Sequence, residues 1–175
     1  MALIERNGTD SFRLIGLEKK VAADICGCRF FGVMDRIDSL YPGMIRLVDY
    51  KSGADTQAVL AVTDADAEEF VSKIFDGPYS SRKDFKAALQ FYIYDRMLKE
   101  AGFVGGNQLF NSMYATSEMF RSDPVVFPES PEFSRLMDER LEGLLKELKD
   151  KDVPFERTGE ADACRFCDFK MICGR

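Results

Sequence analysis

The stretch that most narrows the possible folds of this chain lies between residues 29 and 51. Two runs rich in β-branched and apolar residues, Ile25 to Leu40 and Met44 to Tyr50, flank the tripeptide Tyr41-Pro42-Gly43. Proline presets one turn dihedral and glycine tolerates positive φ, so the tripeptide reverses the chain. The pattern predicts an antiparallel hairpin over 29–51. Along a strand, residues i and i+2 point to one face. Asp49 and Lys51 therefore project together, Tyr50 points away, and Asp35 falls across from Asp49 or near it. Two carboxylates and one ammonium share one patch.

The patch has two readings. Alternating charges on an exposed strand are common, and an Asp-Lys pair on a solvated face needs no function. Here, however, Val33, Ile37, Leu47 and Val48 make the strands apolar, so the acids do not sit on a generally polar ribbon. The chemical reading is a metal site. Magnesium prefers hard oxygen ligands and takes one or two carboxylates, leaving waters and phosphate oxygens to complete its shell. Asp35 and Asp49 would supply the carboxylates, and the backbone carbonyl of Tyr50 a third oxygen. Lys51 would orient or deprotonate an attacking water, or stabilise charge developing on phosphorus. The metal would acidify its water and neutralise phosphate oxygens. Phosphodiester hydrolysis needs these parts and no histidine, and this chain has none. Its absence excludes Ser-His-Asp and Cys-His catalysis and removes the commonest zinc ligand. The net charge of −6 argues against a module that holds DNA by a basic surface alone. It does not argue against an enzyme whose acids carry metal.

The rest of the chain is expected to form one domain over 1–175. Phe12 to Ile15 and Lys20 to Ala23 read as short strands leading into the hairpin, so that 12–51 carries the strands and the metal site. Residues 63–70 open a short helix capped by Asp64 or Thr63. The spacing of Phe85, Leu89, Tyr92, Ile93 and Met97 predicts a helix over 83–101, ended by Gly102. Strands follow at 107–116 and 124–127. A second amphipathic helix spans 131–149, with Ser130 as its cap, Pro131 in its first turn, and Phe133, Leu136, Met137, Leu141, Leu144, Leu145 and Leu148 on its apolar face. This order predicts an α/β domain with a mixed central sheet flanked by helices. No run approaches the ~20 apolar residues that span a bilayer, so a soluble, cytoplasmic protein without a membrane partner is expected. Residues 155–175 form a tail with Cys164, Cys167 and Cys173. These are free thiols at a chain end or three ligands of a metal centre, which ordinarily needs four. Cys26 and Cys28, expected at core or sheet positions of the strand before Gly32, are the remaining thiols.

Gly32-Val33-Met34-Asp35-Arg36-Ile37-Asp38 followed by Val48-Asp49-Tyr50-Lys51-Ser52-Gly53 resembles the PD-(D/E)xK nucleases of the RecB and AddB type. Ala88-Leu89-Gln90-Phe91-Tyr92-Ile93-Tyr94 is similar to the Gln-x-x-x-Tyr helix of that family, and Cys164-x2-Cys167-x5-Cys173 to the C-terminal iron–sulfur cysteines of its AddB branch. The resemblance implies a restriction-endonuclease-like core and a metal-dependent deoxyribonuclease using Mg2+ or Mn2+. In it, Asp35 and Asp49 bind metal, Lys51 is the catalytic lysine, and Gln90 and Tyr94 contact the catalytic centre and the nucleic-acid backbone. It also implies a [4Fe-4S] cluster on Cys164, Cys167 and Cys173, completed by an upstream cysteine or by Cys26 or Cys28. The expected partners are DNA and a helicase domain or subunit of a recombination and repair complex. Asp38 belongs to the same pattern, but three residues along a strand turn it to the face opposite Asp35. Family members carry helices before the first strand, often with a further glutamate or histidine ligand. None is legible before Phe12, so the chain is expected to be a piece of a larger helicase–nuclease. There is no Walker motif, which places any ATP-driven motor elsewhere. The alternative is an inactive or incomplete nuclease-like domain that binds DNA or a partner subunit.

Overall fold

The computed structural model describes residues 12–52, 62–78, 85–115, 126–128 and 130–174. The elements run β1 (Arg13–Ile25), β2 (Cys28–Ser39), β3 (Met44–Lys51), α1 (Ala67–Phe75), α2 (Lys86–Glu100), β4 (Gln108–Ala115), β5 (Val126–Pro128), α3 (Pro131–Lys149) and α4 (Ala161–Cys164). The strands form one mixed sheet in sequence order. β1–β2, β2–β3 and β4–β5 pair antiparallel, and β3–β4 pair parallel. The fold is thus the α/β arrangement with helices against a mixed sheet that the sequence predicts.

The hairpin forms where Pro42 and Gly43 require it. Gly43 has φ +86° and the Met44 amide donates to the Tyr41 carbonyl at 3.2 Å. The register Arg36↔Val48, Ile37↔Leu47 and Asp38↔Arg46 follows. Upstream the structure differs from expectation. Arg13 to Ile15 and Lys20 to Ala23 belong to one 13-residue strand, interrupted by a bulge between Leu14 and Gly16, and Phe12 lies just before it. β1 turns into β2 through Cys26 and Gly27, at φ 50° and 69°. This two-residue turn, with both centres left-handed, matches the twist of the flanking strands. Cys26 is therefore exposed at a turn, and Cys28 starts a strand half-buried. Cys28 thus takes one of the core or sheet positions expected of the two cysteines, while Cys26 does not, because two residues spent on the turn interrupt the run read as a single strand.

The core lies between one sheet face and the helices. Ile37, Ile45 and Leu47 meet Phe91, Met97 and Leu98 of α2, and α3 adds Phe133, Met137, Leu141 and Leu145. The buried set on α2 includes Ala88, Phe91, Tyr92, Asp95 and Leu98, while Phe85, Leu89 and Ile93 are only partly covered. The buried stripe is rotated from the expected one because it contains a carboxylate, which an apolar search passes over. Asp95 reaches Asn111 of β4, whose side-chain amide donates to it at 2.8 Å. On α3 the bounds 131–149 match, but Leu144 and Leu148 are 41% and 51% exposed.

The caps are shared between elements. Ser130 Oγ accepts from the Phe133 amide at 3.2 Å, as a capping serine does. Asp64, expected to cap the helix that follows it, serves α3 instead. Its carboxylate accepts from Ser130 Oγ at 2.6 Å and from the Glu132 amide at 3.2 Å. Asp66 holds the N-cap position of α1 without a side-chain cap bond. Tertiary proximity of the two helix starts decides which one the carboxylate reaches.

Candidate active site

The turn brings the two acids together at the end of the β2–β3 ladder. The ladder's last pair is Arg36↔Val48, and Asp35 and Asp49 are the next residues along the two strands. The Tyr50 amide donates to Asp35 Oδ2 at 2.8 Å. Asp35 is half-buried, and Asp49 is 5% exposed. β1 leaves regular pairing at the same point: the ladder passes from Leu17↔Arg36 to Lys19↔Met34, and Glu18 between them has φ 43°.

Lys51 projects beside Asp49, as i and i+2 on a strand must. Its Nζ lies 2.7 Å from Asp49 Oδ2. The same Nζ donates to Gln90 Oε1 at 2.8 Å, and Gln90 Nε2 donates to Asp49 Oδ1 at 3.1 Å. Acid, lysine and amide thus close a ring of three contacts between β3 and α2. Gln90 and Tyr94 stand one helical turn apart. Gln90 Nε2 also approaches Tyr94 Oη at 3.3 Å, and Tyr94 Oη donates to the Val33 carbonyl at 3.2 Å. The five side chains expected at the site, Asp35, Asp49, Lys51, Gln90 and Tyr94, lie together.

Gly32 is part of the arrangement in a way the sequence did not indicate. A Cβ there would stand 2.9 Å from Tyr94 Cε1. The bare backbone lets the tyrosine ring lie against β2 and reach the next carbonyl. Glycine inside a strand often marks such a close approach, and that was the available signal.

Burial pushes the Asp49 carboxyl above its ordinary range. Its contacts with Lys51 and Gln90 oppose this, the Asp35 charge adds to it, and the net shift is upward. The environment thus disfavours the bare anion. Asp49 Oδ2 lies 2.7 Å from Lys51 Nζ but takes no well-directed hydrogen bond among the described residues. A buried carboxylate oxygen in that condition, facing a second carboxylate, fits a divalent cation. The donors are hard oxygens with no thiolate or imidazole, which suits magnesium or manganese. Among the described residues no three His, Cys, Asp or Glu side chains converge as a metal-holding group. Substrate and water oxygens would have to complete the shell. The tail cysteines are half-buried and their thiols are likewise not gathered. In this arrangement they do not fit an iron–sulfur cluster.

Tyr50 points to the other face, as expected, its ring centroid 5.4 Å from that of Tyr114. Asp38 lies there too, fully buried. Arg46 binds it in a fork with both distances 2.8 Å, and Arg36 Nε lies 2.9 Å from its Oδ2. It is part of a structural ion cluster and does not reach the site. Among the described residues no helix is long and apolar enough to cross a membrane.

The family model of the PD-(D/E)XK nuclease superfamily matches residues 2–174. No curated protein matches the chain.

Proposed function

Because the chain belongs to the PD-(D/E)XK nuclease superfamily, whose activity is of nuclease type, we propose that it is a divalent-metal-dependent deoxyribonuclease domain acting at Asp35, Asp49, Lys51, Gln90 and Tyr94. The observation that carries this reading is the closed set of contacts among Asp49, Lys51 and Gln90, with Asp35 held to the same strand by the Tyr50 amide. Asp35 and Asp49 would hold Mg2+ or Mn2+, with the Tyr50 carbonyl as a further oxygen. Bound there, the cation supplies Lewis acidity and an acidified water.

The chain's own groups do the rest. Lys51, fixed by two partners, presents its ammonium beside the acids, where a water must attack phosphorus and charge builds on the phosphoryl oxygens. A positioned cation loses no energy reorganising as that charge appears. Gln90 holds Lys51 through its oxygen and Asp49 through its nitrogen, so one amide sets both rotamers. Tyr94 anchors Gln90 to β2. Attack on phosphorus breaks the bond to the leaving sugar oxygen, which takes up a proton as it departs.

The RecB/AddB-type motif pattern extends the proposal to an exonuclease of a helicase–nuclease in recombinational DNA repair, with a helicase domain or subunit as partner. An iron–sulfur cluster on Cys164, Cys167 and Cys173 would require the tail to rearrange and a fourth ligand. Iron and sulfide analysis of anaerobically purified protein tests that part.

For the site, linear single- and double-stranded DNA is incubated with magnesium or manganese and the unaltered chain, Asp49→Ala or Lys51→Ala. Cleavage is expected from the unaltered chain and a loss on the order of 100-fold or more from each variant. Cleavage that survives both substitutions sinks the mechanism. DNA bound but never cut by the unaltered chain would favour an inactive nucleic-acid-binding domain.

A further inference from the structure

Two residues of β2 that serve the candidate site could not face the same way in a regular strand. Asp35 keeps the phase of Ile37, two positions on, which is fully buried in the core. Its charge is one of the causes that raise the Asp49 carboxyl, which meets Gln90 of α2. Gly32 also faces α2, since a Cβ there would stand 2.9 Å from Tyr94 Cε1 and 3.3 Å from Met97 Cε. Asp35 and Gly32 are three positions apart, and an odd separation puts two residues of one strand on opposite faces. The phase of β2 therefore slips between them. Met34 and Arg36 locate the slip. Met34 is fully buried in the core. Arg36, two positions on, lies on the far face with Asp38 and the rings of Tyr50 and Tyr114.

β1 slips at the same rung. Partners across an antiparallel pair share a face. Lys19 pairs with Met34 on the core side, where its ammonium stands 5.4 Å from the Phe103 ring centroid. Leu17 pairs with Arg36 and so belongs to the far face. Between them Glu18 has φ 43°, a left-handed conformation that is rare for residues other than Gly, Asn and Asp. From Gly16↔Ile37 to Ile25↔Cys28 the ladder runs in one register, and only the rung of Glu18 and Asp35 is missing. Both strands thus change face together without changing register. Irregular strand residues beside active sites commonly re-aim side chains in this way. Without the slip, Val33 would face α2 in place of Gly32, and its side chain would stand where the Tyr94 ring lies.

We infer that Glu18 is a positioning residue: its left-handed backbone lets β1 and β2 change phase together, so that Asp35 and the Gly32 seat of Tyr94 both face α2. The backbone conformation does this, and the carboxylate, which is exposed, takes no part. This inference rests on the nuclease reading and names the backbone feature that assembles its site.

Three variants separate backbone preference from side-chain chemistry. Glu18→Gly adopts a left-handed φ freely. Glu18→Ala removes the carboxylate but keeps a Cβ. Glu18→Val is β-branched and resists that φ; Glu18→Thr, also β-branched, replaces it if Glu18→Val does not fold. The chain has six tyrosines, so 15N-tyrosine labelling gives six amide signals. Tyr50→Phe identifies that of Tyr50, whose amide donates to Asp35. In metal-free protein this signal should hold its place in Glu18→Gly and Glu18→Ala. In Glu18→Val it should move toward its place in Asp35→Ala. Mn2+ binding, followed by electron paramagnetic resonance, should weaken about 10- to 100-fold in Glu18→Val, as when a ligand loses its orienting support. It should be unchanged in the other two, and Glu18→Gly should melt no lower than the unaltered chain. A Tyr50 signal unmoved in Glu18→Val overturns the inference. So does weakened Mn2+ binding by Glu18→Ala, which would make the carboxylate itself a ligand. If the unaltered chain neither binds Mn2+ nor cleaves DNA, the nuclease reading falls, and the Tyr50 signal still decides the role of Glu18.

Discussion

Gln90 is the residue on which the geometry of the site turns. It touches both Asp49 and Lys51, so its loss frees two side chains at once. As a positioning residue it should lower cleavage about 10- to 100-fold on substitution by Ala, the usual cost of removing an orienting partner from a metal centre. Metal titration of the reaction should show a higher half-saturating magnesium concentration, which a mere loss of folded protein would not produce. Gly32→Ala tests the tyrosine anchor. The new methyl would press on the Tyr94 ring, so Tyr94 must leave the Val33 carbonyl or β2 must move. Overpacking of this kind costs about 1–3 kcal/mol, read as a lower Tm, and cleavage should fall with it. Asp49 makes a prediction with a sign. Its folded carboxyl is raised, mainly by burial, so a proton on it favours the fold. That contribution is present below the ordinary aspartate range and is lost as pH rises through the raised value. In metal-free protein at neutral pH, Asp49→Asn should therefore raise Tm, and the gain should vanish in acid. A lower Tm at neutral pH would refute this.

Among the elements, α3 has its start most fully specified. Ser130 caps it, and Asp64 from the segment before α1 bonds both the capping hydroxyl and the Glu132 amide. Ser130→Ala should cost about 1 kcal/mol of stability. Asp64→Ala should cost less in the Ser130→Ala background than alone, because the two side chains share a bond. Thermal melts of the two single variants and the double variant measure that coupling. Apart from its two outward leucines, α3 was legible in sequence because its cap, its first-turn proline and its apolar face agree. α2 was legible in extent but not in facing. Its buried stripe includes Asp95, whose partner Asn111 lies on β4, and no local pattern reveals that pairing.

At the scale of the whole molecule, the parallel pairing of β3 with β4 brings α2 to the site. A parallel neighbour requires a crossover between the strands, and here the crossover carries α1 and α2. Gln90 thus reaches Asp49 and Lys51 across about 40 residues of chain. The opposite face of the sheet is tied by Arg36, Asp38 and Arg46, all buried. Asp38→Ala would leave two buried guanidinium groups without their shared carboxylate. Breaking such a cluster on one side costs about 3–5 kcal/mol, so this variant should melt far lower than the unaltered chain. Asp24→Ala on the exposed hairpin should change Tm little, because solvent screens its pair with Arg29. Similar melting of the two variants would show that the cluster contributes nothing to the fold.

The hairpin over 29–51, the shared face of Asp49 and Lys51, and the outward turn of Tyr50 follow from local chemistry: a Pro-Gly turn and the two-residue period of a strand. The helix over 131–149 follows from its cap and its 3.6-residue period. Those inferences needed no knowledge of distant parts of the chain. Tertiary structure decided what depends on distance in space. It placed Gln90 between Asp49 and Lys51, gave Asp64 to α3, put Tyr94 against the bare backbone of Gly32, and buried Asp38 between two arginines. It also made Cys26 a turn residue. In each case the deciding partner is remote in sequence or the competing choices are locally equal. A carboxylate near two helix starts, or a glycine within a strand, acquires one role only when the chain has packed.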